Sequence, residues 1–287
     1  MKKYFLMALA ILFPLFVVAQ PLSEVAVEVR WGTFNIRYNN QDDYKIGCGW
    51  DQRKERVVQY LLDNNIDICG MQEVTNEQLI YLRKSLPGYG YVGVGRTDGK
   101  TKGEATPVFY RKDRFKALDK GNFWLSETPD VVGSKGWDAA LERVASWVKL
   151  KDKKTGKVFM AVNTHFDHVG KVARRESAKL IMRKIQEIVG DKPAVVTGDF
   201  NVTERDEAYT TMVTNDFKMN DAYHMTDNRT GTTGTWHSFC QIPPSKMEKI
   251  DFIFITPNIQ VTHTHIEKEN KDYQISDHNP HFADLVL

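Results

Sequence analysis

The stretch with the clearest capacity for chemistry is Gly198-Asp199-Phe200-Asn201, which follows the apolar, β-branched residues 194–197. An apolar run that stops at a glycine and then presents a carboxylate and an amide is typical of a buried strand ending in a polar site. Because alternate side chains of an extended backbone point the same way, Asp199 and Asn201 can reach the same substrate atom. An Asx turn that caps a helix after Thr203 explains the motif equally well when it is taken alone.

Polar side chains also stand at the edges of other apolar, strand-like segments. They are Asn35, Glu73, His165, Asp251 and the run Ser276-Asp277-His278. Any one of them is readily explained as a cap or a surface residue, but their repetition favours one shared site. Carboxylates, amides and imidazoles together suit a hard cation and phosphate chemistry, because Mg²⁺ takes oxygen ligands.

Helices and strands alternate at the start of the chain, which is typical of an α/β fold. Periodicity predicts helices over 52–62 and 171–189, and Thr75 with Gln78 forms a capping box that begins another.

Strands of the middle of the chain follow one another through short turns, so we expect antiparallel pairing there. The predicted strands are 25–36, 66–71, 89–95, 106–111, 145–151, 157–164, 194–197, 250–255 and 282–287, and His263 and His265 lie on one side of a further strand. No internal repeat or linker interrupts them, and we therefore predict a single domain over 20–287.

The first nineteen residues have the parts of a secretory signal peptide: Lys2 and Lys3, an apolar run over 4–18, and the small residue Ala19. We therefore expect residues 1–19 to direct export to the periplasm or the outside of the cell, with a retained anchor as the alternative. Without them the formal charge falls from +2 to zero. A neutral chain argues weakly against a general binder of duplex DNA, which needs basic patches.

The cysteines are odd in number for an exported protein, since the chain has three. Cys69 lies in an apolar run and is expected in the core. Cys48 and Cys240 remain as a candidate disulfide pair.

Six motifs resemble those of the endonuclease/exonuclease/phosphatase superfamily and occur in its order. They are Thr33-Phe34-Asn35, Gln72-Glu73-Val74, Asn163-Thr164-His165, Gly198-Asp199-Phe200-Asn201, Ile250-Asp251-Phe252 and Ser276-Asp277-His278. Residues 123–126 and 134–138 further resemble its exported bacterial branch, which is related to deadenylases and phosphodiesterases. The resemblance implies a DNase I-like α/β fold: a four-layer sandwich of two packed mixed β-sheets flanked by helices.

The resemblance also implies a role for each motif residue. Glu73 would be the principal ligand of one Mg²⁺ or Mn²⁺ ion, assisted by Asp277 and by Asn35, which is also a candidate phosphate contact. Asp251 would orient His278, and His278 would either deprotonate the attacking water or stabilise the developing charge. Asp199 is the rival base, Asn201 would steady the phosphate, and His165 would neutralise one of its oxygens.

Two arginines complete the implied site. Arg174, within Ala173-Arg174-Arg175-Glu176-Ser177, resembles a phosphate-binding arginine of the bacterial branch. Arg37 departs from the DNA-repair branch, which has an acid at this position, so we do not expect a second ion built on that acid. Arg37 either contacts the substrate phosphate or pairs with an acid at the rim.

These residues predict an exported, divalent-metal-dependent phosphoric ester hydrolase, with a phosphodiester as the leading substrate and activated water as the nucleophile. The alternatives are an extracellular nuclease, a phosphomonoesterase acting on nucleotides or sugar phosphates, and a catalytically silent module that binds a phosphorylated glycan. A membrane-acting lipid phosphodiesterase would need an exposed apolar loop for insertion, and we see no such loop in the sequence. We expect a monomer without stable membrane association, whose partner is a small phosphoester, a nucleotide, a phosphorylated glycan or nucleic acid.

Overall fold

The structure is a computed structural model that describes residues 26–214 and 216–287. The predicted signal peptide, residues 1–19, lies outside these ranges. None of the helices within them is both long and apolar enough to cross a bilayer.

Strands and helices alternate only in parts of the chain. The strands are β1 (Glu28–Asn35), β2 (Ile68–Gln72), β3 (Tyr89–Val92), β4 (Val108–Arg111), β5 (Phe115–Trp124), β6 (Val144–Asp152), β7 (Val158–His165), β8 (Ala194–Asp199), β9 (Asn220–Asp221), β10 (Arg229–Gly231), β11 (Asp251–Ile255), β12 (Gln260–Ile266) and β13 (His281–Val286). The helices are α1 (Gln41–Tyr44), α2 (Trp50–Asp63), α3 (Asn76–Ser85), α4 (Lys171–Val189) and α5 (Glu207–Thr214).

Two mixed β-sheets are formed within the described ranges. The first has the strand order β10-β12-β13-β1-β2-β4-β3, and the second has the order β5-β6-β7-β8-β11-β9. In the first sheet β1 pairs parallel with β2 and antiparallel with β13. In the second, β7 pairs parallel with β8, while the neighbouring β5, β6 and β11 run antiparallel to their partners.

The two sheets pack face to face, and helices cover their outer sides. Trp31 of β1 meets Phe159 of β7 edge to face at 5.8 Å, in an apolar cluster that joins both sheets. A second cluster packs α4 on the second sheet, and a third packs α2 and α3 on the first. The arrangement confirms the predicted four-layer sandwich, because each sheet buries one face on the other and one face under helices.

Most predicted elements lie within a few residues of the observed ones, and α4 has the predicted bounds. The capping box of Thr75 and Gln78 is present at α3. Strand β5 was not predicted, because the exposed residues 118–120 interrupt its apolar alternation. As an edge strand it tolerates that polar stretch, and its pairing with β6 shifts register between Ala117 and Asp119.

The candidate disulfide between Cys48 and Cys240 is not formed: both cysteines are free, as is Cys69. The Cys48 Sγ lies 3.7 Å from the Ile46 carbonyl, and the Cys240 Sγ accepts a hydrogen bond from Gln274. Each thiol therefore has its own local contact. Cys69 is buried, as expected.

Candidate active site

One edge of the two packed sheets gathers the polar ends of several strands. Asn35 ends β1, His165 ends β7, and Asp199 ends β8. Asp251 begins β11 and, because β11 runs antiparallel to β8, lies opposite Asp199. The segment between β12 and β13 adds Asp277 and His278 at the same edge.

Four of these residues, His165, Asp199, Asp277 and His278, line a cavity of about 610 Å³. Its lining is Arg37, Tyr38, Glu73, Arg96, Glu104, Leu141, Arg143, His165, His168, Asp199, Asn201, Trp236, Glu248, Ile250, Asp277 and His278. The structure thus brings together nearly all the residues that the strand ends and the resemblance had indicated.

A buried histidine–carboxylate pair stands at the centre of this site. His278 Nδ1 lies 2.8 Å from Asp251 Oδ2, and His278 Nε2 lies 3.8 Å from Asp199 Oδ2. Burial alone would lower the pKa of His278, but the carboxylates of Asp251 and Asp199 outweigh it and raise the pKa to about 10. The imidazole is therefore a cation at neutral pH.

The surroundings of Asp199 disfavour its charged form, whereas those of His278 favour the charged imidazolium. Burial and then the neighbouring Asp251 raise its pKa to about 7, against the favourable charge of His278. Its Oδ2 accepts from the Asn35 amide at 2.9 Å, and its Oδ1 accepts from the Asn201 backbone N–H at 2.9 Å. The second contact is the Asx turn considered for this motif, but it caps no helix, because α5 begins only at Glu207.

Glu73 and Asp277 form a second acidic group in the cavity. The Asn35 amide donates to Glu73 Oε1 at 3.1 Å, and the Tyr38 backbone donates to Oε2 at 3.0 Å. Burial raises the pKa of Asp277, and the like charge of Glu73 raises it further. Glu73 itself has a φ of 62°, a strained backbone conformation of the kind that collects at functional sites.

The donor set fits a divalent cation. Among the described residues of the lining, five carboxylates face three guanidinium groups and the imidazolium of His278, which leaves an excess of negative charge, and a phosphate would add more. A hard cation at Glu73 and Asp277 would remove this imbalance, and both residues offer the oxygens that it prefers. Asp199, Asp251 and His278 also place one candidate ligand atom each within 4.8 Å of one another. That cluster needs no ion, because His278 Nδ1 already bonds Asp251.

Arg37 pairs with an acid, which is one of the two roles considered for it. Its Nε donates to Asp43 at 3.0 Å, and its Nη1 lies 3.8 Å from Asp277. It also lines the cavity. The guanidinium thus pairs with an acid and still faces the space that a substrate would fill.

Arg53 of α2 connects the chain segments next to the candidate cation ligands Glu73 and Asp277. Its buried guanidinium donates to four backbone carbonyls: those of Cys48 at 2.9 Å, Arg37 at 2.8 Å, Ile275 at 3.2 Å, and Ile36. The segment that follows Asn35 is thereby joined to the one that precedes Asp277.

His165 and Asn201 form the opposite wall. His165 Nε2 lies 3.0 Å from Asn201 Nδ2, which also donates to the Phe166 carbonyl at 3.0 Å. Burial, and then the nearby Arg143, hold the pKa of His165 well below its usual range. His165 is therefore neutral.

The phosphate-binding role predicted for Arg174 does not fit its position. Arg174 is not among the cavity residues, and its Nη1 donates to the Asp167 backbone carbonyl at 2.9 Å. It lies in the first turn of α4 and holds the chain that follows β7.

The cavity arginines that sequence reasoning missed are Arg96 and Arg143, and it also missed Glu104. Arg96 and Glu104 lie between β3 and β4, and Arg143 immediately precedes β6. Arg96 and Glu104 lie inside a connection where no apolar strand begins or ends, so the signal that found the other residues was absent there, whereas Arg143 adjoins the start of β6 and the same signal could have found it.

Comparison with known proteins places this geometry in context. Residues 32–278 match the profile of the Endonuclease/Exonuclease/phosphatase family. A protein of that description from Bacteroides vulgatus is 56% identical, with a TM-score of 0.88 over 90% of this chain and 98% of that one. A mannosyl-6-phosphatase from Bacteroides thetaiotaomicron is 40% identical, with a TM-score of 0.83 over 90% of this chain and all of that one.

Eukaryotic relatives are more distant. The human Nocturnin catalytic domain is 19% identical, with a TM-score of 0.70 over 91% of this chain and 96% of that one, and it shares the fold. Drosophila melanogaster Nocturnin is 23% identical over an alignment of 203 residues, which covers 64% of this chain but 30% of that protein.

Proposed function

Because the chain belongs to the Endonuclease/Exonuclease/phosphatase family, we propose that it is an exported, divalent-metal-dependent hydrolase whose substrate is a phosphomonoester of a sugar. The observation that carries the proposal is the 2.8 Å contact of Asp251 with His278, which lines the same cavity as the Glu73 and Asp277 carboxylates. A cationic donor and oxygen ligands for a metal thus line one space, which is large enough for a small phosphoester.

His278 serves as the charged donor to the phosphate in this proposal. With a pKa of about 10 it holds its proton at neutral pH, so it stabilises negative charge on the phosphoryl oxygens and does not act as the base. Asp251 keeps the proton on Nδ1 in place, and Nε2 carries the proton that faces the cavity.

Asp199 serves as the base. Its pKa of about 7 matches the proton affinity that a general base needs near neutral pH. The Asn35 amide and the Asn201 N–H fix its two oxygens, so the carboxylate can orient and deprotonate the attacking water without rearrangement.

Glu73 and Asp277 would hold the metal ion, and Asn35 lies beside Glu73. When bound there, Mg²⁺ or Mn²⁺ supplies positive charge for the phosphoryl oxygens of the substrate. Arg37, 3.8 Å from Asp277, is placed to contact the same phosphate.

A sugar phosphomonoester is favoured over the phosphodiester expected from the sequence, because the 40% identical mannosyl-6-phosphatase covers 90% of this chain. The composition of residues 1–19 supports export. An exported hydrolase of this kind would meet phosphorylated sugars and glycans outside the cytoplasm.

The test is a substrate panel: mannose 6-phosphate, glucose 6-phosphate, nucleotides, bis(p-nitrophenyl) phosphate, RNA and plasmid DNA, each with Mg²⁺ and with EDTA. We expect phosphate release from sugar phosphates that requires the metal and is lost in Glu73→Gln. Glu77→Gln, a carboxylate of the next helix outside the cavity, is the matched control and should keep full activity. Faster turnover of diesters or nucleic acids would overturn the substrate class, and affinity without turnover of any ester would indicate a binding module.

A further inference from the structure

Glu104 is a cavity carboxylate to which none of the proposed steps assigns a role. It lies in the connection between β3 and β4, where the Arg96 guanidinium donates two hydrogen bonds to its carboxylate, at 2.9 and 3.1 Å. The Arg96 backbone N–H also donates to the Glu104 carbonyl at 3.1 Å. The pair is therefore fixed at both the backbone and the side chains.

A smaller cavity of about 10 Å³ adjoins this pair. It is lined by Arg96, Glu104, Thr106, Arg143, Val144 and His165. Two buried nitrogens of these residues have no hydrogen-bond partner within the described parts of the chain: Arg143 Nη1 and His165 Nδ1. A polar space of about this size holds one water molecule when two to four polar groups face it.

The proton of the neutral His165 ring can be located from its other side. Asn201 Nδ2 must be the amide nitrogen, because it donates to the Phe166 carbonyl. His165 Nε2, 3.0 Å from that N–H₂ group, must therefore accept. The ring proton is consequently on Nδ1, which needs an acceptor.

Glu104 provides that acceptor at the distance of a water bridge. Its Oε2 lies 4.0 Å from His165 Nδ1, too far for a direct hydrogen bond and close enough for a bridge through one water. Such a water would accept from His165 Nδ1 and Arg143 Nη1 and would donate to the carboxylate. All of its partners are then satisfied.

We propose that Glu104 is a positioning residue, which acts through one water in the smaller cavity to hold the His165 proton on Nδ1 and so fixes the Asn201 amide. The Asn201 N–H₂ group then stays turned toward His165 and Phe166, away from the substrate space. In this proposal His165 orients Asn201 and does not contact the phosphate, as the resemblance had implied that it would. The expected effect on kcat rests on the proposed function, whereas the position of the proton on His165 Nδ1 does not depend on it.

The direct test is ¹⁵N NMR of histidine-labelled protein, with the His165 signals identified by their loss in His165→Asn. We expect Nδ1 to be protonated and Nε2 unprotonated at neutral pH. In Glu104→Gln the side-chain amide donates toward the water, so the His165 ring signals should move toward the Nε2-protonated form. A proton on Nε2 in the wild type, or unmoved signals in Glu104→Gln, would overturn the proposal.

The charged and titratable groups around His165 define what else could move its signals. They are Glu104, Arg96, Arg143, His168, Asp199 and His278. Glu267→Gln is the matched control, because this substitution removes the same charge beside another histidine. Glu267 lies 3.5 Å from His265. It should leave the His165 signals and the activity unchanged.

Kinetics give a second, separate readout. Glu104→Gln should lower kcat about tenfold with KM changed less than about twofold, as for partners that orient a functional side chain. The double variant Glu104→Gln/His165→Asn should be no slower than His165→Asn alone, because Glu104 acts through His165. A rise in KM at constant kcat, or additive losses, would instead make Glu104 a substrate contact. If no ester is turned over, the proposed function fails while the NMR result still decides the proton position.

Discussion

His278 and Asp251 form a buried pair in which Nδ1 and Oδ2 are 2.8 Å apart, although 27 residues separate them in the sequence. Asp251→Asn removes the charge that stabilises the imidazolium, so the pKa of His278 should fall from about 10. We expect kcat to drop about 100-fold or more, as when an orienting carboxylate is neutralised in other histidine pairs. Steady-state kinetics and an NMR titration of His278 measure both effects, and an unchanged kcat would exclude His278 as the charged donor.

The pH dependence of kcat/KM should be bell-shaped. Asp199 must be ionised to act as a base, so activity falls as the pH decreases below about 7. His278 must be protonated, so activity falls again as the pH rises above about 10. A profile recorded across this range checks both limbs, and Asp199→Asn should lose activity throughout. A single limb near pH 4 would show that Asp199 is not the base.

Metal affinity should depend on the Glu73 and Asp277 carboxylates of the cavity. Glu73→Gln and Asp277→Asn should each raise the Mg²⁺ concentration for half-maximal activity about 10–100-fold, or abolish activity, since each removes an oxygen ligand. Titration of the EDTA-treated proteins with Mg²⁺ and Mn²⁺ is the measurement. Equal midpoints in variant and wild-type protein would place the ion elsewhere.

Stability in acid should depend on His281, which is 1% exposed at the start of β13. Burial lowers its pKa from 6.5 to about 3, so the unfolded chain takes up a proton between these pH values that the folded chain does not. The contribution of His281 to the free energy of unfolding is therefore intact above about pH 6.5 and is lost as the pH falls toward 3. The loss is on the order of 4 kcal/mol.

Urea unfolding of the wild type and of His281→Phe at several pH values measures this loss. The variant should show a weaker dependence on pH in this window. Parallel curves for the wild type and His281→Phe would contradict the prediction.

The residues that sequence patterns located are those at strand ends. Asn35, His165 and Asp199 each end a buried strand, and parallel pairing of β1 with β2 and of β7 with β8 brings such ends to one edge. The apolar segments therefore predicted an α/β sheet and much of the site, whereas the presence of two packed sheets was implied by the family resemblance.

The remaining features depend on packing that no local pattern records. Arg96 and Glu104 reach the cavity from the connection between β3 and β4, where spacing gives no direction for a side chain. Arg174 was misplaced because the motif gives its position in α4 but not the side of the helix on which it lies. Its side chain bonds the Asp167 carbonyl and does not reach the cavity. The cysteine count likewise could not show that Cys48 and Cys240 have separate contacts.

Arg53 has a consequence for the order in which the protein acquires activity. Its guanidinium joins the carbonyls of Ile36 and Ile275, and the second of these lies 222 residues away along the chain. Contacts of such long range form only after most of the chain has been made and collapsed. The carboxylates at Glu73 and Asp277 therefore come together late, and nascent or unfolded chains have no assembled site. On the proposed route of export, a chain that crosses a membrane unfolded would carry no hydrolytic activity until it folds on the far side.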